Sequence, residues 1–245
     1  MKRKNTKNTE VNTDRDRGRD RETDKNSDRD TKPNREKEAL ISSWQSRGII
    51  TDQRIIDAFR AIPREHFMSK HYKEYAYDDT AYPLFSGSTI SQPTTVLLMT
   101  QWLKPEKGQK ILEIGTGSGY QAALLSLLVG PRGTIFTAEI IPELARYARE
   151  KIKALGLSNI TLLQADAGTG YESRAPYDRI IITAACPKIP SPLIDQLKTG
   201  GILVAPVGEI GIQTMMRLTK RKEGYTKEHL GSFAFVPMSG VHGFT

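Results

Sequence analysis

The chain has 245 residues, a formal net charge of +8 at pH 7 and a single cysteine. This length allows one or two domains and a complete α/β core. No apolar run approaches the roughly 20 residues that a membrane-spanning helix needs, and the polar N-terminus lacks the apolar centre of a signal peptide. The lone Cys186 excludes an internal disulfide and fits a reducing compartment, so we expect a cytoplasmic protein.

Residues 1–38 differ in composition from the rest of the chain. They contain almost no large apolar side chains and consist largely of charged residues, Asn and Thr. Such a segment cannot bury enough apolar surface to offset the entropy lost on ordering, which predicts a disordered tail. Its opposite charges nearly cancel, so a solvating role is a better interpretation than nucleic-acid binding. Residues 39–245 are expected to form a single domain, and nothing in them indicates a dimer interface, so we expect a monomer.

The first predicted elements of this domain are helices. Apolar side chains at helical spacing predict a short helix around Trp44 and a second one between Asp52 and Pro63. Residues 72–93 lack a sustained period, which predicts a long irregular segment of the kind that often carries function. A further helix is predicted over residues 94–103.

From residue 110 onward, strands alternate with helices. The predicted strands span residues 110–114, 134–139, 160–164, 178–184 and 202–206, and the predicted helices span 120–128, 142–155 and 192–197. Two last strands, 214–219 and 233–236, are expected to form a hairpin at the sheet edge. This order predicts an α/β fold with a doubly wound, mostly parallel, Rossmann-like sheet and an antiparallel C-terminal edge hairpin.

A glycine-rich turn lies between the strand at 110–114 and the following helix. Gly115, Gly117 and Gly119 form a G-x-G-x-G sequence that follows the acidic residue Glu113. A dinucleotide-binding turn has its third glycine three residues after the second, where this chain has Tyr120. The spacing therefore departs from the NAD pattern and resembles the first motif of S-adenosylmethionine-dependent methyltransferases. Glycine turns also occur for structural reasons alone.

Acidic residues lie at the ends of the next two predicted strands. Glu139 ends one strand, where its carboxylate can accept hydrogen bonds from ribose hydroxyls, and Asp166 follows the next, where it can accept from an adenine amine. Two carboxylates would repel a pyrophosphate but attract the sulfonium of S-adenosylmethionine. Either residue can instead cap a helix or a turn. Their occurrence at successive strand ends favours the cofactor interpretation.

Six segments carry a further similarity: residues 62–67, 89–93, 112–122, 141–145, 178–185 and 235–238. Together they resemble the protein-L-isoaspartate O-methyltransferase family, and Thr-Ile-Ser-Gln-Pro at 89–93 discriminates most because other methyltransferases lack it. The resemblance implies methyl transfer from S-adenosylmethionine to the free α-carboxylate of L-isoaspartyl residues in damaged peptides and proteins, with repair through a succinimide. It also implies that Ser91 is the active-site serine and that Thr89 lies near the cofactor.

The candidate site combines these assignments. Ser91 is the candidate catalytic residue, and the candidate cofactor contacts are Thr89, Glu113, Gly115, Thr116, Gly117, Ser118, Gly119, Glu139, Ile140, Asp166 and Ala167. The acceptor carboxylate is ionised at neutral pH, so Ser91 is interpreted as an orienting hydrogen-bond donor rather than a nucleophile. No histidine falls in a motif that supplies a base or shows metal-ligand spacing with Cys186, so we expect no metal and a packed cysteine. Ser239 is a further candidate for a cofactor contact near the C-terminus.

The chain departs from the family pattern in two loops. Ala165 and Ala167 flank Asp166 where the family usually has glycines, and Phe85 and Ser88 lie in a loop that usually contains more glycine and a glutamine. Both departures leave the peptide selectivity open.

Two other functions stay open at this point. A methyltransferase that acts on a small molecule or a nucleic acid would share the cofactor half of the site but gives no reason for the segment at 89–93. A binding protein without turnover would keep the fold and act through the charged tail.

Overall fold

The computed structural model describes residue 1 and residues 31–244. Its α-helices are α1 (Lys32–Ser46), α2 (Gln53–Ala61), α3 (Pro93–Leu103), α4 (Tyr120–Val129), α5 (Pro142–Ala154) and α6 (Ser191–Asp195). Short 3₁₀ helices span Arg64–Phe67, Lys70–Tyr75 and Glu172–Arg174. None of the helices in this described part of the chain is long and apolar enough to cross a membrane.

The strands form a small ribbon and a larger sheet. They are β1 (Tyr82–Pro83), β2 (Thr89–Ile90), β3 (Lys110–Ile114), β4 (Thr134–Glu139), β5 (Ile160–Gln164), β6 (Tyr177–Ile182), β7 (Leu197–Glu209), β8 (Ile212–Lys220) and β9 (Tyr225–Phe233). β1 pairs with β2, and the seven-stranded sheet has the order β5-β4-β3-β6-β7-β8-β9. The pairs from β5 to β7 are parallel, and β8 and β9 are added antiparallel. The predicted mostly parallel α/β sheet with an antiparallel edge is confirmed.

The central strands are buried on both faces. In β6, Ile180 and Ile182 pack in the core on one side of the sheet, and Ile181 packs in the core on the other side. All three side chains are fully buried. A strand in this position has no solvent face, which explains its continuous apolar run. Polar residues occur instead at the carboxyl ends of such strands, which is where ligands bind in this class of fold.

The first helix begins earlier than the composition predicted. α1 starts at Lys32, inside the segment 1–38 that we expected to be disordered, while residues 2–30 lie outside the described residues. Lys37 lies on the buried face of α1, and its ammonium is 4.9 Å from the centre of the Tyr77 ring. This lysine is buried like the apolar residues on the same face, so a count of apolar residues underestimates the buried face of this helix.

The predicted position of the last strand is wrong. β9 spans Tyr225–Phe233, whereas the sequence pattern placed this strand at residues 233–236. β9 is the edge strand and is exposed over most of its length, so it lacks the apolar alternation that identifies a half-buried strand. Residues 235–238 return instead toward the end of β6, where the Ala185 N–H donates to the Val236 carbonyl at 2.8 Å.

The segment predicted as irregular over residues 72–93 contains the β1–β2 ribbon. At the turn of the ribbon, the Phe85 ring lies edge-on to the Tyr147 ring of α5, with the centroids 5.2 Å apart. The neighbouring Ser86 hydroxyl donates to the Glu143 carboxylate at 2.9 Å. These two contacts attach the turn of the ribbon to α5.

Candidate active site

A cavity of about 1010 Å³ lies at the carboxyl ends of β3, β4 and β5. Its volume is at the upper end of the roughly 300–1,000 Å³ that ligand sites usually occupy. The predicted residues that line it are Thr89, Ser91, Glu113, Gly115, Thr116, Gly117, Ser118, Glu139, Ile140, Asp166 and Ala167. The fold thus brings the ribbon, the glycine turn and two strand ends together around one space.

The first two glycines of the turn have different surroundings. Both have a positive φ, +96° at Gly115 and +53° at Gly117. A Cβ at Gly115 would lie 2.7 Å from the Thr183 hydroxyl oxygen, so there is no room for a side chain at this position. A Cβ at Gly117 would meet no atom closer than the Ser88 hydroxyl oxygen at 3.8 Å. The space beside Gly117 is open toward the cavity, as a bound ligand requires.

Gly119 is the one predicted cofactor contact that does not line the cavity. It caps α4 at φ +89°, and a Cβ there would lie 3.3 Å from the Ala148 Cβ of α5. The third glycine therefore serves the close approach of the turn to α5 rather than a ligand contact.

Glu139 joins the end of β4 to the glycine turn. Its Oε2 accepts a hydrogen bond from the Gly117 N–H at 2.8 Å, and its Oε1 accepts from the Ile141 N–H at 3.0 Å. The side chain is buried, yet it borders the cavity. Each carboxylate oxygen can accept a second hydrogen bond, so both the structural role and the ligand role are available to this residue.

Glu113 lies beneath the turn and is fully buried. Its Oε2 accepts from the Thr137 hydroxyl at 2.6 Å, and that hydroxyl is 2.6 Å from the hydroxyl of Thr116. Among the described residues, Oε1 has no hydrogen-bond partner. Burial, together with the nearby Glu139 charge, raises the pKa of Glu113 to about 8, although the bond from Thr137 opposes the shift. This carboxyl is therefore largely protonated at neutral pH, and its O–H group can donate one hydrogen bond.

Asp166 connects the end of β5 with the C-terminal segment. Its Oδ1 accepts from the Gly168 N–H at 2.9 Å, and its Oδ2 accepts from the Val241 N–H at 2.8 Å. The side chain is half-buried and borders the cavity beside Ala167. The alternative interpretation of Asp166 as a turn cap fits these two bonds, and the adenine contact stays a prediction in which the ligand shares the carboxylate with two amides.

Ser91 lies between β2 and α3, on the wall of the cavity formed by the ribbon. Its carbonyl oxygen accepts from the Arg64 guanidinium at 3.0 Å. In the described part of the chain its hydroxyl has no hydrogen-bond partner and is half-buried, so it is available to a ligand. Thr89, on the same wall, is also half-buried.

Sequence reasoning missed Thr183, which follows β6 and borders the cavity. Its hydroxyl donates to the Ile114 carbonyl at 3.0 Å and contacts the Gly115 carbonyl, so it supports the glycine turn from below. The available signal was a polar residue at the end of an otherwise apolar strand.

Cys186, three residues later, is fully buried, and burial raises the pKa of its thiol to about 12. This confirms that it is a packed residue.

Comparisons with known sequences point to one family. A family model described as protein-L-isoaspartate(D-aspartate) O-methyltransferase matches residues 34–243. The protein-L-isoaspartate O-methyltransferase of Ignicoccus hospitalis is 45% identical over 204 residues, which are 83% of this chain and 97% of the relative.

Solved structures agree with these sequence matches. A protein-L-isoaspartate O-methyltransferase structure has a TM-score of 0.77 at 29% identity, covering 84% of this chain and 67% of the other. A Plasmodium falciparum structure, described as a protein-L-isoaspartate O-methyltransferase in complex with S-adenosyl-L-homocysteine, has a TM-score of 0.70 at 25% identity, covering 81% and 95% of the two chains.

Proposed function

The chain belongs to the protein-L-isoaspartate O-methyltransferase family, and we propose that the cavity described above is its active site, with Ser91 at the acceptor end. The enzyme uses S-adenosylmethionine to methylate L-isoaspartyl residues of damaged peptides and proteins, which initiates their repair. The free α-carboxylate of the isoaspartyl residue is the acceptor, and the ester then collapses to a succinimide.

The observation that carries the site assignment is that one cavity is bordered both by the glycine turn and by Ser91. The open space beside Gly117 and the two carboxylates at strand ends fit a ligand that carries both a ribose and a positive charge. We assign Glu139 to the ribose hydroxyls and Asp166 to the adenine amine. Neither assignment requires a carboxylate oxygen to accept more than two hydrogen bonds.

The reaction needs little acid–base catalysis by the protein. S-adenosylmethionine, when bound, supplies an electrophilic methyl group on a good leaving group. The acceptor carboxylate is already ionised at neutral pH, so alignment and partial desolvation can provide most of the rate enhancement. In this proposal the Ser91 hydroxyl donates a hydrogen bond to the acceptor and fixes its orientation.

Paired peptides provide the test of acceptor and activity. The purified protein is incubated with methyl-labelled S-adenosylmethionine and two peptides that differ only in Asp or L-isoAsp at one position. We expect labelling of the isoaspartyl peptide alone, and base-labile label as expected for a methyl ester. Equal labelling of both peptides, or label that resists mild base, would contradict the proposed acceptor.

Three further properties stay predictions: the oligomeric state, the location and the absence of a nucleic-acid partner. We propose that the enzyme acts as a monomer in the cytoplasm on isoaspartyl proteins, without a specific nucleic-acid partner. Light scattering coupled to size-exclusion chromatography measures the first property, and a mass near twice that of the 27.4 kDa chain would contradict it.

A further inference from the structure

Arg64 is a buried cation that the assignments above do not use. It is the first residue of the 3₁₀ helix Arg64–Phe67, and its side chain is fully buried. The ion pairs of the described residues do not include it. Burial lowers the pKa of Arg64, and neighbouring groups that include Asp79 oppose the shift, so the arginine stays charged. A buried charge of this kind is costly unless hydrogen bonds compensate it.

Backbone carbonyl groups provide part of this compensation, while Nε of Arg64 has no hydrogen-bond partner among the described residues. Nη1 of Arg64 donates to the Ala76 carbonyl at 2.6 Å, and Nη2 donates to the carbonyls of Thr80 and Ser91 at 3.1 and 3.0 Å. These acceptors lie 12, 16 and 27 residues further along the chain. One rigid guanidinium thus holds three separate points of the segment that precedes α3.

Two of these acceptors form the wall of the cavity. Thr80 and Ser91 both line it, and the same nitrogen of Arg64 joins them. A second connection lies beside the first: the Asp79 carboxylate accepts from the N–H and the hydroxyl of Thr94, at 2.9 and 2.6 Å. The backbone around Ser91 is therefore held by hydrogen bonds on both sides, and the one made to Ser91 itself comes from the Arg64 guanidinium.

We propose that Arg64 is a positioning residue, which presents the Ser91 hydroxyl to the isoaspartyl acceptor by holding the carbonyl groups of Thr80 and Ser91 together. The inference rests on the proposed role of Ser91. Hydrogen bonds from a charged donor are shorter and stronger than neutral ones, and the planar guanidinium fixes their directions. A neutral or flexible replacement would let this wall move, which affects the acceptor but leaves the cofactor end in place.

The first test compares Arg64→Met and Arg64→Lys with the wild type. We expect kcat for the isoaspartyl peptide to fall about 10- to 100-fold in Arg64→Met, the size of effect that a displacement of about 1 Å can have. Arg64→Lys should recover part of this loss, because an ammonium can still donate to these carbonyls. The dissociation constant for S-adenosylhomocysteine, measured by calorimetry, should stay close to the wild-type value in both. Equal losses in peptide turnover and cofactor affinity would overturn the proposal, since a general packing role predicts that result.

A matched control is Arg179→Lys. The Arg179 guanidinium also donates to backbone carbonyls, those of Lys104 and Asp178, at 3.0 and 2.8 Å, and it does not line the cavity. We expect this variant to keep the wild-type kcat. A loss equal to that of Arg64→Lys would contradict a specific effect at Arg64.

A double-mutant cycle separates this inference from the role of Ser91. If Arg64 acts by presenting the hydroxyl, Arg64→Lys should lower kcat in the wild type but not in a Ser91→Ala background. Additive losses would overturn the inference about Arg64 and leave Ser91 in its role. No effect of Ser91→Ala alone would instead contradict the proposed function of Ser91. If Arg64→Met does not fold, Arg64→Lys and the cycle built on it still decide the question.

Discussion

The carboxylate of Glu139 accepts the backbone N–H of Gly117, with 2.8 Å between Oε2 and N. This bond joins the end of β4 to the turn that follows β3, so the residue assigned to the ribose also shapes the glycine turn. The neighbouring Ile141 N–H donates to the other oxygen at 3.0 Å. Two donors therefore point at one carboxylate, and a side chain with a single acceptor oxygen cannot satisfy both.

Glu139→Gln is expected to weaken cofactor binding and to destabilise the fold. One of the two backbone donors would face the amide NH₂ group, and a buried unsatisfied donor costs about 1–3 kcal/mol. Calorimetry with S-adenosylhomocysteine should show a dissociation constant raised about tenfold or more, since each factor of ten corresponds to about 1.4 kcal/mol. Glu150→Gln, an exposed change on α5, is the control. Unchanged affinity in Glu139→Gln would refute the ribose assignment.

Ser91→Ala is expected to lower turnover while leaving cofactor affinity intact. Loss of the orienting hydroxyl should reduce kcat for the isoaspartyl peptide by about 10- to 100-fold. Steady-state kinetics and calorimetry on the same preparation measure the two quantities. The exposed Ser42→Ala is the matched control. A variant with normal kcat and weakened cofactor binding would place Ser91 at the wrong end of the cavity.

Substitution by alanine is expected to have different consequences at the first two glycines of the turn. Gly115→Ala should lower Tm strongly, because its Cβ would meet the Thr183 hydroxyl at 2.7 Å in a backbone with φ +96°. Gly117→Ala has room for its Cβ at φ +53°, so we expect a smaller stability loss of about 1–2 kcal/mol. Its Cβ would enter the cavity, and S-adenosylhomocysteine binding should weaken. Thermal unfolding with and without this ligand tests both; a large ligand-induced rise in Tm in Gly117→Ala would be the contrary result.

Asp166→Ala is expected to raise the cofactor dissociation constant and to loosen the C-terminal segment. The carboxylate now holds the Val241 N–H at 2.8 Å, so its removal frees that segment as well as the adenine contact. Hydrogen exchange at Val241 should become faster, and calorimetry should show weaker binding of S-adenosylhomocysteine. Faster exchange at Val241 with unchanged affinity would mean that Asp166 is a structural cap only.

Glu113 predicts a dependence of stability on pH. Burial raises its pKa from 4.5 to about 8, so between these values the folded protein keeps a proton that the unfolded chain has released. The stability from this group is complete below the unfolded pKa and is lost as the pH rises through about 8. Urea unfolding from about pH 5 to about pH 9 should therefore show a steeper decline in the wild type than in Glu113→Gln. Parallel curves would exclude the shifted pKa.

The sequence alone determined the central sheet and which of its residues meet at one cavity. The predicted strands 110–114, 134–139 and 160–164 have the observed bounds. The first two lie inside the sheet and carry the buried run typical of parallel strands, whereas the third is a partly exposed edge strand. The residues at the carboxyl ends of parallel strands meet at one edge of the sheet, so the sequence order predicts that Glu139 and Asp166 border the same cavity, as they do.

Only the tertiary structure decided which contacts those residues make and which residues hold the wall of the cavity around Ser91. Gly119 packs on α5, Asp166 binds Val241, and Arg64 joins carbonyls up to 27 residues away. The buried face of α1 likewise includes Lys37, whose ammonium lies 4.9 Å from the centre of the distant Tyr77 ring. Periodicity and spacing report on neighbours along the chain. These features instead depend on hydrogen bonds and packing between segments that meet only when the chain has folded.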